Sequence, residues 1–206
     1  MKLIRKLLLF ILIIGIILAT IIGISGYVMY QDAIKEEAFA AKIQAIRQSD
    51  DYVTLDKISK DYQNAVIAVE DHRFYKHKGI DFISTGRAVW VNLKNWDIVE
   101  GGSTITQQLA KNMYFSQKQE FTRKAAELFL SFDLENHYSK NEILELYLNT
   151  IYFGNGYYGI KQASVGYLEE YPKDLTLNNA TLLAGIPNAP SVYSLKENPD
   201  LAKRCV

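Results

Sequence analysis

Several things are scarce in this 206-residue chain, and each scarcity excludes something. It has one cysteine, Cys205, so it can form no internal disulfide and no cysteine-built metal cluster. That thiol, next to last in the chain, carries no expected chemistry. Net charge is also missing: Lys+Arg and Asp+Glu both number 23, which gives no reason to expect a nucleic-acid partner. There is no internal repeat or low-complexity tract. Clean alternating strand patterns are rare, and the only short strand suggested is Tyr52-Val53-Thr54-Leu55. Histidines are few, and His72 and His77 lie five apart, which is not the spacing of a helical zinc pair.

The N-terminus carries the first positive signal. Lys2, Arg5 and Lys6 precede an apolar run from Leu7 to Met29. About 23 residues make about 35 Å of helix, enough to cross a bilayer core of about 30 Å. A cleaved leader would have an apolar core of about 7–15 residues and a small-x-small site. Gly23-Ile24-Ser25 resembles such a site, but the run before it is already too long. Residues 1–30 are therefore expected to be a basic cytoplasmic end plus a retained single-pass transmembrane anchor, with the rest outside. Tyr27 and Tyr30 are expected at the outer interface, where amphipathic rings are favoured. Residues 31–48, rich in Ala, Glu, Lys and Gln, read as a juxtamembrane helix or stalk, and Ser49-Asp50-Asp51 breaks it. Residues 49–206 then form one domain.

That domain reads as mainly α. Thr104-x-x-Gln107, Ser116-x-x-Gln119 and Ser139-x-x-Glu142 all fit the capping box that opens a helix. Five strings stand out along it. In the first, Glu70-Asp71-His72-Arg73-Phe74-Tyr75-Lys76-His77-Lys78-Gly79, the acidic pair ends the apolar stretch Ala65–Val69. Burial there raises a carboxylate's pKa and suits it to general-base work near neutral pH. Glu70 and Asp71 are neighbours on a helix and point apart, so they do not form a dyad. Hydrogen-bonding roles are expected for His72 and His77. In the second, Gly101-Gly102-Ser103-Thr104-Ile105-Thr106-Gln107-Gln108-Leu109-Ala110-Lys111, two glycines lead into a capped helix start. Backbone N–H groups there, with Gln107 and Lys111 on one face, could converge on a phosphate. No Gly-Lys-Ser/Thr follows, so the string is not a nucleotide loop.

The third, Thr122-Arg123-Lys124-Ala125-Ala126-Glu127, sets two cations about one carboxylate, on a helix expected to bury Phe121, Ala125, Leu128, Phe129 and Phe132. It reads either as a surface ion pair or as a cluster that grips a diphosphate and its metal. The fourth, Lys140-Asn141-Glu142-Ile143-Leu144-Glu145-Leu146-Tyr147-Leu148-Asn149 with Tyr152-Phe153-Gly154, and the fifth, Gly156-Tyr157-Tyr158-Gly159-Ile160-Lys161-Gln162-Ala163-Ser164, read as core scaffold.

Each string alone is weak, but their order and spacing from about Tyr62 to Pro199 resemble the glycosyltransferase domain of penicillin-binding proteins and the monofunctional peptidoglycan glycosyltransferases. Gly101–Gln108 is the most specific match. The resemblance implies a lysozyme-like helical fold with a membrane-dipping part, preceded by one transmembrane helix in a bacterial cell membrane. It also implies inverting transfer from undecaprenyl-diphosphate-linked disaccharide-peptide, lipid II, to build glycan strands. Carried onto this chain, Glu70 would be the general base and Glu127 would assist departure of the diphosphate, directly or through a divalent cation. Arg87, Ser103, Thr104, Gln107, Lys111, Arg123 and Lys124 would bind substrate. No cofactor is obligatory, with magnesium or manganese as an optional helper. The implied partners are lipid II, the growing lipid-linked strand, the membrane and other cell-wall synthesis proteins, and no nucleic acid.

The sequence departs from the family pattern in three places. Tyr167-Leu168-Glu169-Glu170 replaces a Tyr-Phe-Gly-Lys-like turn, Asn178-Asn179 stands where a Glu is usual, and the chain stops soon after Asn188–Ser191, as a truncated domain would. With no Ser-x-x-Lys and no Lys-Thr-Gly, a transpeptidase activity is not expected, and the chain reads as monofunctional. Two rivals remain. One is a lysozyme-like hydrolase or lytic transglycosylase, which has less need of Lys111, Arg123 and Lys124. The other is an inactive membrane-anchored cell-wall scaffold.

Overall fold

A computed structural model describes residues 2–97, 101–115, 121–193 and 195. Nine α-helices carry the fold among these residues: α1 Lys2–Glu36, α2 Phe39–Arg47, α3 Lys60–Glu70, α4 Phe82–Asn95, α5 Ile105–Tyr114, α6 Phe121–His137, α7 Lys140–Thr150, α8 Gly159–Leu168 and α9 Leu177–Gly185. The protein is mainly α, as expected. Two isolated β-bridges, Lys78–Ile80 and Tyr152–Tyr158, are the only extended pairings among the described residues. The strand expected at Tyr52–Leu55 does not form, because α7 supplies the bonds a neighbouring strand would make. The Asn149 amide accepts from Val53 N at 2.8 Å and donates to Val53 O at 2.9 Å. Glu145 accepts from Leu55 N at 2.6 Å and from the Tyr52 hydroxyl. With its backbone satisfied this way, the segment needs no sheet.

The helix starts follow the sequence. Thr104 and Ser139 open α5 and α7 with complete capping boxes. Each cap is worth about 1 kcal/mol and sets the first turn. Ser59 caps α3 and Asp81 caps α4. The Ser116–Gln119 pair and Cys205 lie outside the described residues. In the core, α5 packs between α6 and α7, while α3 packs on α9. Tyr62, Phe74, Ile105, Leu109, Leu130, Ile143, Leu144, Tyr147 and Phe153 are fully buried there.

Among the described residues, α1 is the one helix long and apolar enough to cross a membrane. It runs unbroken through Glu36, and the chain turns at Glu37-Ala38 before α2. Most of its side chains are exposed, but its last turns dock on α6. A Cβ on Gly26 would lie 2.4 Å from Ala125 Cβ and 3.0 Å from Thr122 O, so only glycine permits this approach. Tyr27 meets Phe129 edge-on at 5.3 Å, and the Tyr30 hydroxyl donates to Asp133. Tyr30 is therefore a buried packing residue, not the interface ring expected, while Tyr27 stays half exposed. Contacts advance together along both helices, from Gly26 with Ala125 to Tyr30 with Asp133. The helices thus run parallel, and the start of α6 lies beside the last apolar turns of α1.

The buried face of α6 also differs from expectation. Ala126, Glu127, Leu130, Ser131 and Leu134 are buried, whereas Phe121 is 81% and Phe132 42% exposed. The aromatic residues suggested the wrong stripe. Small Ala126 and Ser131 let α6 approach the body of the domain, leaving the larger rings to α1 or to the outside.

Candidate active site

Glu70 is the last residue of α3. The helix buries Tyr62, Ala65 and Val66, which carries the terminal carboxylate into a poorly solvated position. Desolvation raises the Glu70 pKa above the usual carboxylate range. The bond from Gln108 and the charge of Lys111 oppose the rise, and Asp71 adds to it. Glu70 Oε2 accepts from Gln108 Nε2 at 2.6 Å, and Oε1 has no hydrogen-bond partner among the described residues. A desolvated carboxylate with one oxygen bonded and one without a partner is suited to accept a proton.

Asp71 points elsewhere, as the neighbour rule requires. Its carboxylate meets His77 Nε2 at 2.9 Å and accepts from Ile105 N at 3.1 Å. This corrects one expectation about the glycine string. The N-terminus of α5 already holds an anion, and that anion is Asp71. Gln107 needs a second correction. Its Oε1 accepts from Thr104 N at 2.8 Å, closing the capping box, and the residue is only 4% exposed. With its oxygen in the cap and its side chain buried, Gln107 is not on the cleft wall, whereas its neighbour Gln108 is. The box was itself the signal: once Thr104-x-x-Gln107 is read as a cap, Gln108 becomes the amide left for chemistry. Thr104 lines the cleft while its hydroxyl donates to Gly79 O at 2.6 Å.

The glycine turn is fixed from two sides. Thr85 of α4 donates to Gly102 O at 3.2 Å, and a Cβ on Gly102 would lie 3.2 Å from Thr85 Cα. From α6, Lys124 Nζ reaches Ser103 Oγ at 2.8 Å and Glu127 Oε2 at 2.7 Å. Arg123 donates to the other oxygen of Glu127. Glu127 is fully buried, with both oxygens taken by cations. Arg123 therefore backs Glu127 and does not line the cleft, unlike Lys124. Lys111, on α5, makes no ion pair among the described residues, and burial lowers its pKa against the pull of Glu127. No three His, Cys, Asp or Glu side chains among the described residues are grouped to hold a metal. With the Glu127 oxygens engaged, the donor set does not fit a metal held by protein ligands.

These groups meet in one cleft of about 930 Å³. Glu70, Ser103, Thr104, Gln108, Lys111, Lys124 and Glu127 line it, with Arg87 and Ser84 from α4 and Asn188 and Tyr193 from the C-terminal segment. Of the candidate catalytic and substrate-binding residues, only Gln107 and Arg123 are absent from its wall. Beside it, α4 leaves Phe82, Ile83, Trp90, Leu93 and Trp96 largely exposed.

The profile of the family described as Transglycosylase matches residues 36–206. Penicillin-binding protein 1F of Bacillus subtilis (strain 168) is 50% identical over 151 residues, covering 73% of this chain and 21% of that protein. Penicillin-binding protein 1A of Neisseria flavescens is 45% identical over 156 residues, or 76% of this chain and 20% of that protein. A protein of Cupriavidus necator, provisionally named a transglycosylase, is 43% identical over 162 residues, covering 79% of this chain and 70% of its own length. The chain thus spans about a fifth of the two penicillin-binding relatives. With its first three motifs meeting in one cleft and its family match running over most of its length, this chain belongs to the transglycosylase family, the peptidoglycan glycosyltransferases.

Proposed function

We propose that the chain polymerises lipid II into glycan strands by inverting glycosyl transfer at this cleft. The observation that carries the reading is the desolvated Glu70, one oxygen of which has no hydrogen-bond partner among the described residues, lining the same cavity as Lys111 and Lys124. In this mechanism Glu70 Oε1 takes the proton of the acceptor sugar's 4-hydroxyl. The freed oxygen attacks the donor's anomeric carbon from the face opposite the diphosphate, whose bond to that carbon breaks. A diphosphate is already acidic, so its departure needs charge neutralisation more than a proton, and fixed cations supply that. Lys111, Lys124 and Arg87 serve this role, with Ser103 and Thr104 as neutral contacts. Glu127 assists by holding Lys124 on the cleft wall, with Arg123 behind it. A divalent cation would travel with the diphosphate, and no step here passes through it.

Membrane placement follows the same reading. The start of α6 lies beside the last apolar turns of α1, which supports a cationic cluster held near the outer membrane surface. Lipid-linked substrates would reach it there, and the exposed face of α4 would dip into the same bilayer. The basic N-terminus stays cytoplasmic, with the domain outside and in reach of other cell-wall synthesis proteins. Mass spectrometry of membrane-extracted protein should find Met1–Tyr30 attached; a new N-terminus near Gly26 on soluble protein overturns the anchor. To test the activity, the full chain is incubated with labelled lipid II and, separately, with preformed glycan. Polymer supports transfer, cleavage of preformed glycan supports the hydrolase reading, and neither product supports a scaffold.

A further inference from the structure

We propose that Tyr147, read from sequence as scaffold, is a positioning residue for the base and acts through the carboxamide of Gln108. The proposal rests on Glu70 being the base. Tyr147 lies on α7, is fully buried, and is flanked by Leu144, Leu146 and Leu148, which are fully buried as well. Phenylalanine would fill this space without a polar atom to satisfy. A buried hydroxyl costs stability unless it is bonded, and among the described residues the Tyr147 hydroxyl has one partner. It donates to Gln108 Oε1 at 3.1 Å, and Gln108 Nε2 donates in turn to Glu70 Oε2 at 2.6 Å.

A carboxamide has two unlike ends of nearly equal size. Turned one way, Gln108 gives Glu70 an N–H that stabilises the ionised base. Turned the other way, it gives a lone pair that favours the protonated acid. Donation from Tyr147 holds the oxygen end toward α7 and so keeps the N–H end on Glu70. It also polarises the amide, which strengthens the second bond in the chain.

Glu70 has other charged or titratable neighbours: Asp71 beside it, Tyr62 on its own helix and Lys111 on α5. His72, Asp81, Arg87, Lys124 and Glu127 line the same cleft. The packing helix α9 carries no titratable side chain. None of these groups touches the far end of the Gln108 amide, so the Tyr147 hydroxyl can be tested alone.

The test is the pH profile of kcat/KM for polymerisation by the full-length protein. Tyr147→Phe should move the acid limb to higher pH and lower kcat/KM by about three- to tenfold, as expected for one lost hydrogen bond. A ring-fluorinated tyrosine at 147, a stronger donor of almost the same shape, should move the limb to lower pH. In a Gln108→Leu background neither replacement should move the limb further. A purely structural Tyr147 would change melting temperature and leave the limb in place. An unmoved limb with both replacements overturns the proposal, as does an equal shift in the Gln108→Leu background. If the Phe variant does not fold, the fluorinated protein alone decides. Failure of the base reading is distinguishable, because Glu70→Gln would then keep its turnover.

Discussion

Two glutamates face the same cleft and are prepared in opposite ways. Glu70 ends a helix, is desolvated, accepts one bond from a neutral amide and has a second oxygen without a partner among the described residues. Glu127 sits inside a helix, is fully buried, and has both oxygens bonded by Arg123 and Lys124. The unpartnered oxygen of Glu70 is the one proposed to receive the substrate's proton. Glu127 has no open oxygen to offer and instead fixes where two cations stand. On the proposed mechanism, one residue type therefore supplies both the base and the cation holder of a single cleft. The neighbours make the difference, not the residue.

The largest expected effect comes from removing the base. Glu70→Gln should keep the fold and reduce polymerisation by about 10²–10⁴-fold, and near-normal turnover of labelled lipid II would break the comparison at its first term. Next comes Glu127→Gln, which leaves Arg123 and Lys124 without their carboxylate. Denaturant unfolding should show a loss of about 3 kcal/mol, the low end for a broken buried pair, because 44% of the Lys124 side chain stays exposed. A variant as stable as the parent would show that Glu127 holds nothing in place.

Smaller effects sharpen the contrast. Lys111→Ala should weaken binding of a diphosphate-bearing donor by roughly 1–3 kcal/mol, as for a charged hydrogen bond. A soluble glycan without diphosphate should bind nearly as before. Arg123→Ala should act mainly on stability, since Arg123 backs Glu127 off the cleft wall. Equal losses for both ligands in the Lys111 variant would mean that the cationic wall is not a leaving-group site, and would favour the hydrolase reading.

The smallest effect is one of sign. Burial raises the folded-state pKa of Glu70, so the native protein binds more protons than the unfolded chain between the ordinary glutamate pKa and the raised value. The carboxyl's contribution to stability is complete below that window and is lost as pH rises through the folded pKa. Glu70→Gln lacks this loss. It should melt slightly above the parent at neutral pH and level with it in acid. A melting curve for Glu70→Gln below the parent at neutral pH would remove the desolvation argument.

Much of this was legible in advance, for local reasons. Glu70 stood out because an apolar helix visibly ends there, and the Lys124–Glu127 pair because residues three apart share a helix face. Gln108 and Tyr147 were not legible. The bonds joining them to Glu70 span 38 and 39 residues of sequence, and no spacing rule reaches that far. Gln107 was chosen because it lies four before Lys111, but the same residue completes a capping box, and the cap won. The α5 N-terminus looked ready for a phosphate, yet Asp71, 34 residues earlier, takes one of its N–H groups.

By itself the sequence determined the apolar helix long enough to cross a bilayer, the helical class of the domain, the capped starts of α5 and α7, and the desolvated end of α3. All of these follow from hydrogen bonds and burial patterns within a few turns of chain. Tertiary structure alone decided which face of α6 is buried, that Tyr30 docks on Asp133, that Asn149 and Glu145 replace a strand, and that Tyr147 reaches Glu70 through Gln108. In each of those cases a polar or close-packed group needed a partner that only the packing of distant helices could bring to it.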